Sequence, residues 1–230
     1  MSTPLPNGAT VDLVIFDCDG VLIDSEVIST RSTVAALAGL GYRISEADAS
    51  RRFVGRSYAS IRGDIEADWG QALPASFEAD VEQRTLSAMA RELQPIDGVD
   101  EALSNLDKAR CVASSSSVDW ISSGLKKTGL LHHLTPHLFS ASMVKNGKPA
   151  PDIFLHAASQ MGVGPGRALV VEDSLPGVRA GVAAGTVVVG FTGGSHIVNK
   201  AEHGERLASA GAALIIDDIR TLPGLPGVVA

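Results

Sequence analysis

Two aspartates, Asp17 and Asp19, end an unbroken apolar run in the segment VDLVIFDCDGVLIDSE, which extends from Val11 to Glu26. Residues two apart in an extended chain point to the same side, so both carboxylates can converge on one small ligand. Gly20 then allows a sharp turn of the backbone. An Asp pair that caps a following helix is the structural alternative. Because hard divalent cations prefer clustered carboxylate oxygens, the pattern favours a Mg²⁺ site.

Further polar side chains follow three later apolar segments. In an open parallel sheet, ligands bind outside the carboxyl ends of the strands, so residues at these ends are expected to face Asp17 and Asp19. The candidates are Ser114, Ser115 and Ser116 in CVASSSS, Lys148 in KNGKPAPDIF, and Glu172 and Asp173 in ALVVEDS.

The predicted charge of this cluster indicates its ligands. Four carboxylates packed together repel one another, and the single Lys148 cannot compensate them. A bound divalent cation would resolve the conflict. With the cation and Lys148 in place, the site could accept a dianion such as a phosphate group.

Phosphoryl transfer to a carboxylate fits this set of residues. A carboxylate can attack phosphorus only when the phosphoryl oxygens are neutralised. Asp17 is the predicted nucleophile, forming an aspartyl-phosphate, and Asp19 is the predicted acid and base. Ser114, with neighbouring backbone N–H groups and the hydroxyls of Ser115 and Ser116, is expected to hold the phosphoryl oxygens. Lys148 would neutralise the nucleophile and the transferring group, while Asp173 and Glu172 would hold the metal.

The elements that position these residues alternate between strands and helices. This alternation predicts an α/β fold with a Rossmann-like, doubly wound and mainly parallel sheet. From residue 27 to 93 the pattern is helical, which predicts an α-helical domain inserted after the first strand; the core then comprises residues 1–26 and 94–230. The predicted strands are Val11–Phe16, Arg110–Ser114, Leu138–Ser142, Ala168–Glu172, Thr186–Phe191 and Ala213–Ile216. The predicted core helices are Val99–Leu106, Val118–Thr128, Asp152–Met161 and Leu175–Ala184, and those of the insertion lie near 27–40, 46–53, 57–70 and 76–93, the last with Ser76 as N-cap.

Four segments in order, FDCDGVLIDSE, VASSS, GKPAPDIF and VVEDSLPGVRAG, resemble the motifs of the haloacid dehalogenase superfamily. The chain is most similar to its β-phosphoglucomutase-like and 6-phosphogluconate phosphatase-like branch. The resemblance implies a Rossmann-like core with an inserted helical cap and Mg²⁺-dependent phosphoryl transfer. It also implies that the metal is bound by the side chain of Asp17, the backbone carbonyl of Asp19, and the pair Glu172 and Asp173.

The insertion distinguishes between two activities of that branch. The mutases use a His in the segment that joins core and cap, where this chain has Ser29, and a Lys in the cap, whereas residues 27–93 contain no Lys. The cap loop offers Arg56 and Ser57 as substrate-binding residues, and Arg62 beyond them. A phosphatase of sugar or sugar-acid phosphates is therefore favoured, with a sugar phosphate mutase as the alternative. A phosphorylated receiver domain is disfavoured because its acceptor Asp lies on a later strand.

The composition and charge of the chain limit the classes of partner that it is expected to bind. The formal charge of −7, from 26 acidic and 19 basic residues, argues against non-specific binding of nucleic acid or of an anionic membrane. The expected partner is a small phosphorylated metabolite. The two cysteines, Cys18 and Cys111, and the absence of a signal-like N-terminus predict a cytoplasmic protein with reduced thiols. Strand alternation turns Cys18 away from the aspartates. No heptad stripe indicates a dimer, so a monomer is favoured and the oligomeric state stays open.

Overall fold

In the computed structural model, which describes residues 10–53 and 58–228, a six-stranded sheet forms the centre of the fold. Every pair of neighbouring strands is parallel, and their order is β3-β2-β1-β4-β5-β6. The predicted α/β fold with a doubly wound parallel sheet is confirmed. The strands are β1 (Leu13–Phe16), β2 (Ala109–Ser114), β3 (Leu138–Ser140), β4 (Ala168–Glu172), β5 (Val187–Phe191) and β6 (Leu214–Ile216).

Strand β1 lies in the middle of the sheet, and all of its residues are buried. A strand covered on both faces needs apolar side chains at successive positions, which explains the LVIF run. Phe16 pairs with Val112 of β2 on one side and with Val171 of β4 on the other. Asp17 therefore leaves the sheet beside the ends of both neighbouring strands, and its backbone N–H still donates to the carbonyl of Val171 at 3.0 Å.

The helices divide between two compact units, one of residues Ser25–Leu93 and one of the chain up to Asp24 and from Gln94 onward. In the described part of the chain, none of them is long and apolar enough to cross a bilayer. The helices of the first unit are α1 (Ser25–Leu40), α2 (Glu46–Phe53), α3 (Tyr58–Trp69) and α4 (Phe77–Glu92). Those of the second are α5 (Val99–Ser104), α6 (Val118–Lys127), α7 (Leu131–Leu134), α8 (Asp152–Gln160), α9 (Leu175–Ala183) and α10 (Lys200–Ser209).

Each unit buries a separate cluster of apolar side chains, which forms its own hydrophobic core. In the helical unit the core includes Leu37, Phe53, Ile65 and Val81. In the sheet unit, residues of β1, β2 and β4 pack with residues of α8 and α9. This second core includes Leu13, Ile15, Cys111, Ile153, Phe154, Ala157, Val170 and Val178.

The structure differs locally from the predicted elements. Strand β3 ends at Ser140 rather than Ser142, because the Ser140 hydroxyl accepts from the N–H of Ser142 and begins a 3-10 turn. Helix α10 was not predicted, although Asn199 caps it by accepting from the N–H of Glu202, a recognisable start signal. Ser76 precedes α4 with helical backbone angles, and its side chain makes no capping hydrogen bond.

Candidate active site

The carboxyl edge of the sheet brings together most of the residues that were predicted to act. Asp17 follows β1, Ser114 ends β2 and Glu172 ends β4. All three are buried, as is Asp173, with Glu172 fully excluded from solvent. Adjacent parallel strands end at the same edge, so the topology alone gathers these side chains.

Lys148 joins two of these carboxylates from the segment before α8. Its Nζ donates to Oδ1 of Asp17 at 2.8 Å and to Oε1 of Glu172 at 2.7 Å, and also to the carbonyl of Ala113 at 3.2 Å. The Lys148 side chain is only 5% exposed. An ammonium group can donate three hydrogen bonds, and these three acceptors use all of them.

Burial and charge shift the ionisation of this pair. Burial, together with the charges of Glu172, Asp173 and Asp19, raises the pKa of Asp17 well above its ordinary value, and Lys148 opposes the shift only in part. Burial alone would lower the pKa of Lys148, but Asp17 and Glu172 outweigh it and raise that pKa. Ionisation of Asp17 is therefore disfavoured by burial and by its acidic neighbours, and Lys148 offsets this only in part.

Cys18 does not take part in this cluster. Its side chain is fully buried, and burial followed by the charges of Asp19 and Asp17 raises its pKa well above the usual range. Because the thiolate is the nucleophilic form, a thiol held neutral is a poor nucleophile. The side chain therefore belongs to the core, in keeping with the strand alternation of the sequence.

Glu172 fits its place only because its neighbours are small. Its Oε2 accepts from both the backbone N–H and the hydroxyl of Ser174, each at 2.9 Å. Ser174 in turn caps α9 by accepting from the N–H of Gly177. A methyl group at Gly177 would lie 1.7 Å from Oε1 of Glu172. The glycine therefore makes room for the carboxylate at the start of the helix.

Asp173 is held by two histidines that the sequence did not single out. Nε2 of His196 lies 3.1 Å from its Oδ2, and both side chains are almost fully buried. Nε2 of His203, on α10, donates to its backbone carbonyl at 2.6 Å. Gly20 has a φ of 79°, and a methyl group there would lie 2.2 Å from Oδ2 of Asp173. Only glycine combines this backbone conformation with so close an approach.

Asp19 is held by the segment that follows β2. Its Oδ2 accepts from the hydroxyl of Ser116 at 2.7 Å, and the hydroxyl of Ser114 lies 3.5 Å away. Its Oδ1 accepts from Nε1 of Trp120 at 3.0 Å. Trp120 was not predicted, because a single tryptophan near the start of a helix carries no recognisable motif.

The donor set of this edge fits a hard divalent cation. One oxygen from each of Asp17, Glu172 and Asp173 lies within 4.8 Å of the others. Mg²⁺ prefers carboxylate oxygens and binds through few of them, so three converging carboxylates are sufficient. These three carboxyl groups also outnumber the single ammonium group of Lys148 that pairs with two of them.

The sequence also predicted substrate-binding residues beyond these. Ser115 is exposed. Arg56 and Ser57 lie outside the described residues, as does the polar N-terminal segment up to residue 9. Arg62 donates to the backbone carbonyls of Leu73 and Pro74 at 2.9 and 3.1 Å, which ties it to its own helical unit.

The chain is similar to known proteins along most of its length. Residues 11–185 match the family model described as a hydrolase, haloacid dehalogenase-like hydrolase. The chain is 31% identical over 188 residues to 6-phosphogluconate phosphatase of Escherichia coli K12, an alignment that covers 81% of this chain and 85% of that protein.

Solved structures are similar along almost the whole chain. A conserved haloacid dehalogenase-like protein of unknown function from Agrobacterium tumefaciens is 41% identical, with a TM-score of 0.86 and coverage of 93% of this chain and 96% of that one. A HAD family hydrolase from Deinococcus radiodurans, solved with bound phosphate and sodium, is 29% identical, with a TM-score of 0.79 and coverage of 94% and 95%.

Replacing Gly177 by Ala tests the close packing around Glu172. The added methyl group must displace the Glu172 carboxylate, so we expect the free energy of unfolding to fall by about 1–3 kcal/mol in urea titrations. Gly63 is the matched control, since it lies in the exposed part of α3 with no atom within 4 Å of an added methyl group. Gly63→Ala should leave stability unchanged or raise it by up to about 1 kcal/mol. Equal stability of Gly177→Ala and wild type would contradict the packing.

Replacing Asp17 by Asn tests the electrostatic conflict in chelator-treated protein. Folding raises the pKa of Asp17 above its value in the unfolded chain, near 3.8. The contribution of such a carboxyl group to stability is fully present below pH 3.8, and it is lost as the pH rises through the pKa of the group in the folded protein. The amide of Asp17→Asn cannot ionise, so we expect the variant to be more stable than wild type at pH 7–8, by on the order of 1 kcal/mol. The difference should shrink toward pH 4. An Asp107→Asn control, at an exposed position, should show no such pH-dependent gain; a less stable Asp17→Asn would contradict the account.

Proposed function

The chain belongs to the haloacid dehalogenase-like hydrolases, as its motifs predicted, and we propose that it is a Mg²⁺-dependent phosphatase of sugar or sugar-acid phosphates. The observation that carries the proposal is the buried ion pair of Lys148 with Asp17. Asp173 lies beside this pair, and Asp19 follows Asp17 by two residues. The similarity to 6-phosphogluconate phosphatase supports a sugar-acid phosphate as substrate. A phosphate was also found bound to the related hydrolase of Deinococcus radiodurans.

The cation would be held by Asp17 and Asp173, with the backbone carbonyl of Asp19 and the neighbouring Glu172 completing the predicted set. When bound, Mg²⁺ supplies positive charge that neutralises the phosphoryl oxygens. Both oxygens of Glu172 already accept hydrogen bonds, from Lys148 on one side and Ser174 on the other. Glu172 therefore also fixes the position of the Lys148 ammonium.

The protein residues divide the reaction between them. A carboxylate oxygen of Asp17 attacks phosphorus, and the bond between phosphorus and the leaving oxygen breaks. Asp19 gives its proton to that oxygen, so the product leaves as an alcohol. Water then attacks the phosphorus of the aspartyl-phosphate, Asp19 accepts its proton, and the bond to Asp17 breaks to release phosphate. Lys148 offsets negative charge on Asp17 and on the transferring group throughout.

Phosphate release from a panel of sugar phosphates, sugar-acid phosphates and nucleotides tests this function. With Mg²⁺, we expect the wild type to release phosphate from one or a few sugar or sugar-acid phosphates, and chelator to abolish the release. Asp17→Asn should be inactive because it lacks the nucleophile. Lys148→Ala should lose about 10²–10³-fold in kcat because charge on the reacting groups is no longer offset.

Two controls make the outcome decisive. Asp107→Asn, at an exposed position outside the cluster, should keep wild-type activity. Retained turnover by Asp17→Asn would overturn the assignment of the nucleophile. Conversion of a sugar 1-phosphate in the presence of a bisphosphate primer, with no release of phosphate, would instead establish the mutase alternative.

A further inference from the structure

Trp120 contributes a hydrogen bond to the side chain to which the proposed reaction assigns proton transfer. Its indole Nε1 donates to Oδ1 of Asp19 at 3.0 Å, while the hydroxyl of Ser116 donates to Oδ2 at 2.7 Å. The two oxygens of Asp19 thus have different donors, from two positions of one segment.

The backbone of Trp120 is fixed independently of this contact. Ser117 caps α6 by accepting from the N–H of Trp120 at 3.3 Å. Ile121 and Leu125, in the same helix, are fully buried and anchor it in the core. Trp120 lies beside this buried face and is itself half-buried. The helix therefore holds the indole at a defined distance from the carboxyl edge of the sheet.

The chemistry of an indole differs from that of the serines. An indole N–H only donates and never accepts, whereas a hydroxyl can do both. Oδ1 of Asp19 therefore faces a group that cannot receive a proton from it. Oδ2 faces Ser116, which can reverse its hydrogen bond. This asymmetry orients the carboxyl group and leaves Oδ2 as the oxygen that can exchange a proton.

From this geometry we infer that Trp120 is a positioning residue, which orients the Asp19 carboxyl group for proton transfer to the leaving oxygen of the substrate. The inference rests on the proposed phosphatase function. Because Trp120 acts through Asp19, its removal should lower kcat/KM for substrates whose leaving group needs a proton. It should change kcat/KM little for substrates whose leaving group departs readily as an anion.

The test is Trp120→Phe, which keeps an aromatic ring and removes the N–H. Values of kcat/KM are compared for the best sugar phosphate, whose leaving alkoxide needs a proton, and for p-nitrophenyl phosphate, whose leaving phenolate does not. We expect a loss of about 10–100-fold with the sugar phosphate and less than about 3-fold with p-nitrophenyl phosphate. The parameter kcat/KM is chosen because it excludes the later hydrolysis of the phosphorylated enzyme, which is common to both substrates.

Trp69→Phe is the matched control, since Trp69 is the other tryptophan of the chain and packs against Tyr42 within the helical unit. It should preserve the activity ratio of the two substrates. In the Trp69→Phe background, Trp120 is the sole tryptophan, and its fluorescence should change when Asp19 is replaced by Asn. This second readout detects the contact itself, apart from turnover.

The outcomes separate the inference from the function on which it rests. An equal loss on both substrates, no loss on either, or an Asp19→Asn variant with unchanged Trp120 fluorescence would overturn the positioning role while leaving the phosphatase intact. Failure of the wild type to hydrolyse any phosphomonoester would overturn the proposed function, and the role of Trp120 with it. A selective loss on the sugar phosphate, together with the change in fluorescence, supports the inference.

Discussion

A single buried ammonium group, Nζ of Lys148, holds Asp17 and Glu172 together at the carboxyl edge of the sheet. The Lys148 and Glu172 side chains are 5% and 0% exposed, so water contributes little to their solvation. Removing Lys148 would leave these buried carboxylates without their counter-charge, at a cost of about 3–5 kcal/mol. The sheet order satisfies this constraint, because it places β1 directly beside β4 and brings both carboxylates within reach of one lysine.

The surrounding chain accommodates the remaining charge. Gly177 makes room for Glu172, and Gly20 for Asp173, at distances that no larger residue would tolerate. His196 lies beside the carboxylate of Asp173, and His203 donates a hydrogen bond to its backbone carbonyl. These supports fix carboxylates that repel one another, as binding a cation at a defined position requires.

The sequence predicted those parts of the site that depend on local pattern. Strand ends are recognisable from apolar runs, and parallel pairing then gathers Asp17, Ser114 and Glu172 without further information. Ser116 could be placed near the site, but its bond to Asp19 depends on the loop conformation. Trp120, His196 and His203 reach the site from helices and loops whose docking no short motif records. Arg56 and Ser57 lie outside the described residues, so their part in substrate binding stays a prediction.

The central claim is that Asp17 receives the phosphoryl group, and trapping of the phosphorylated enzyme tests it most directly. The wild-type protein would be mixed with Mg²⁺ and excess substrate, or with acetyl phosphate as a general donor, and quenched in acid within milliseconds. Peptide mapping by mass spectrometry should then find a hydroxylamine-sensitive phosphate on Asp17, absent from Asp17→Asn. A phosphate on another residue, or turnover without any phosphorylated protein, would contradict the account.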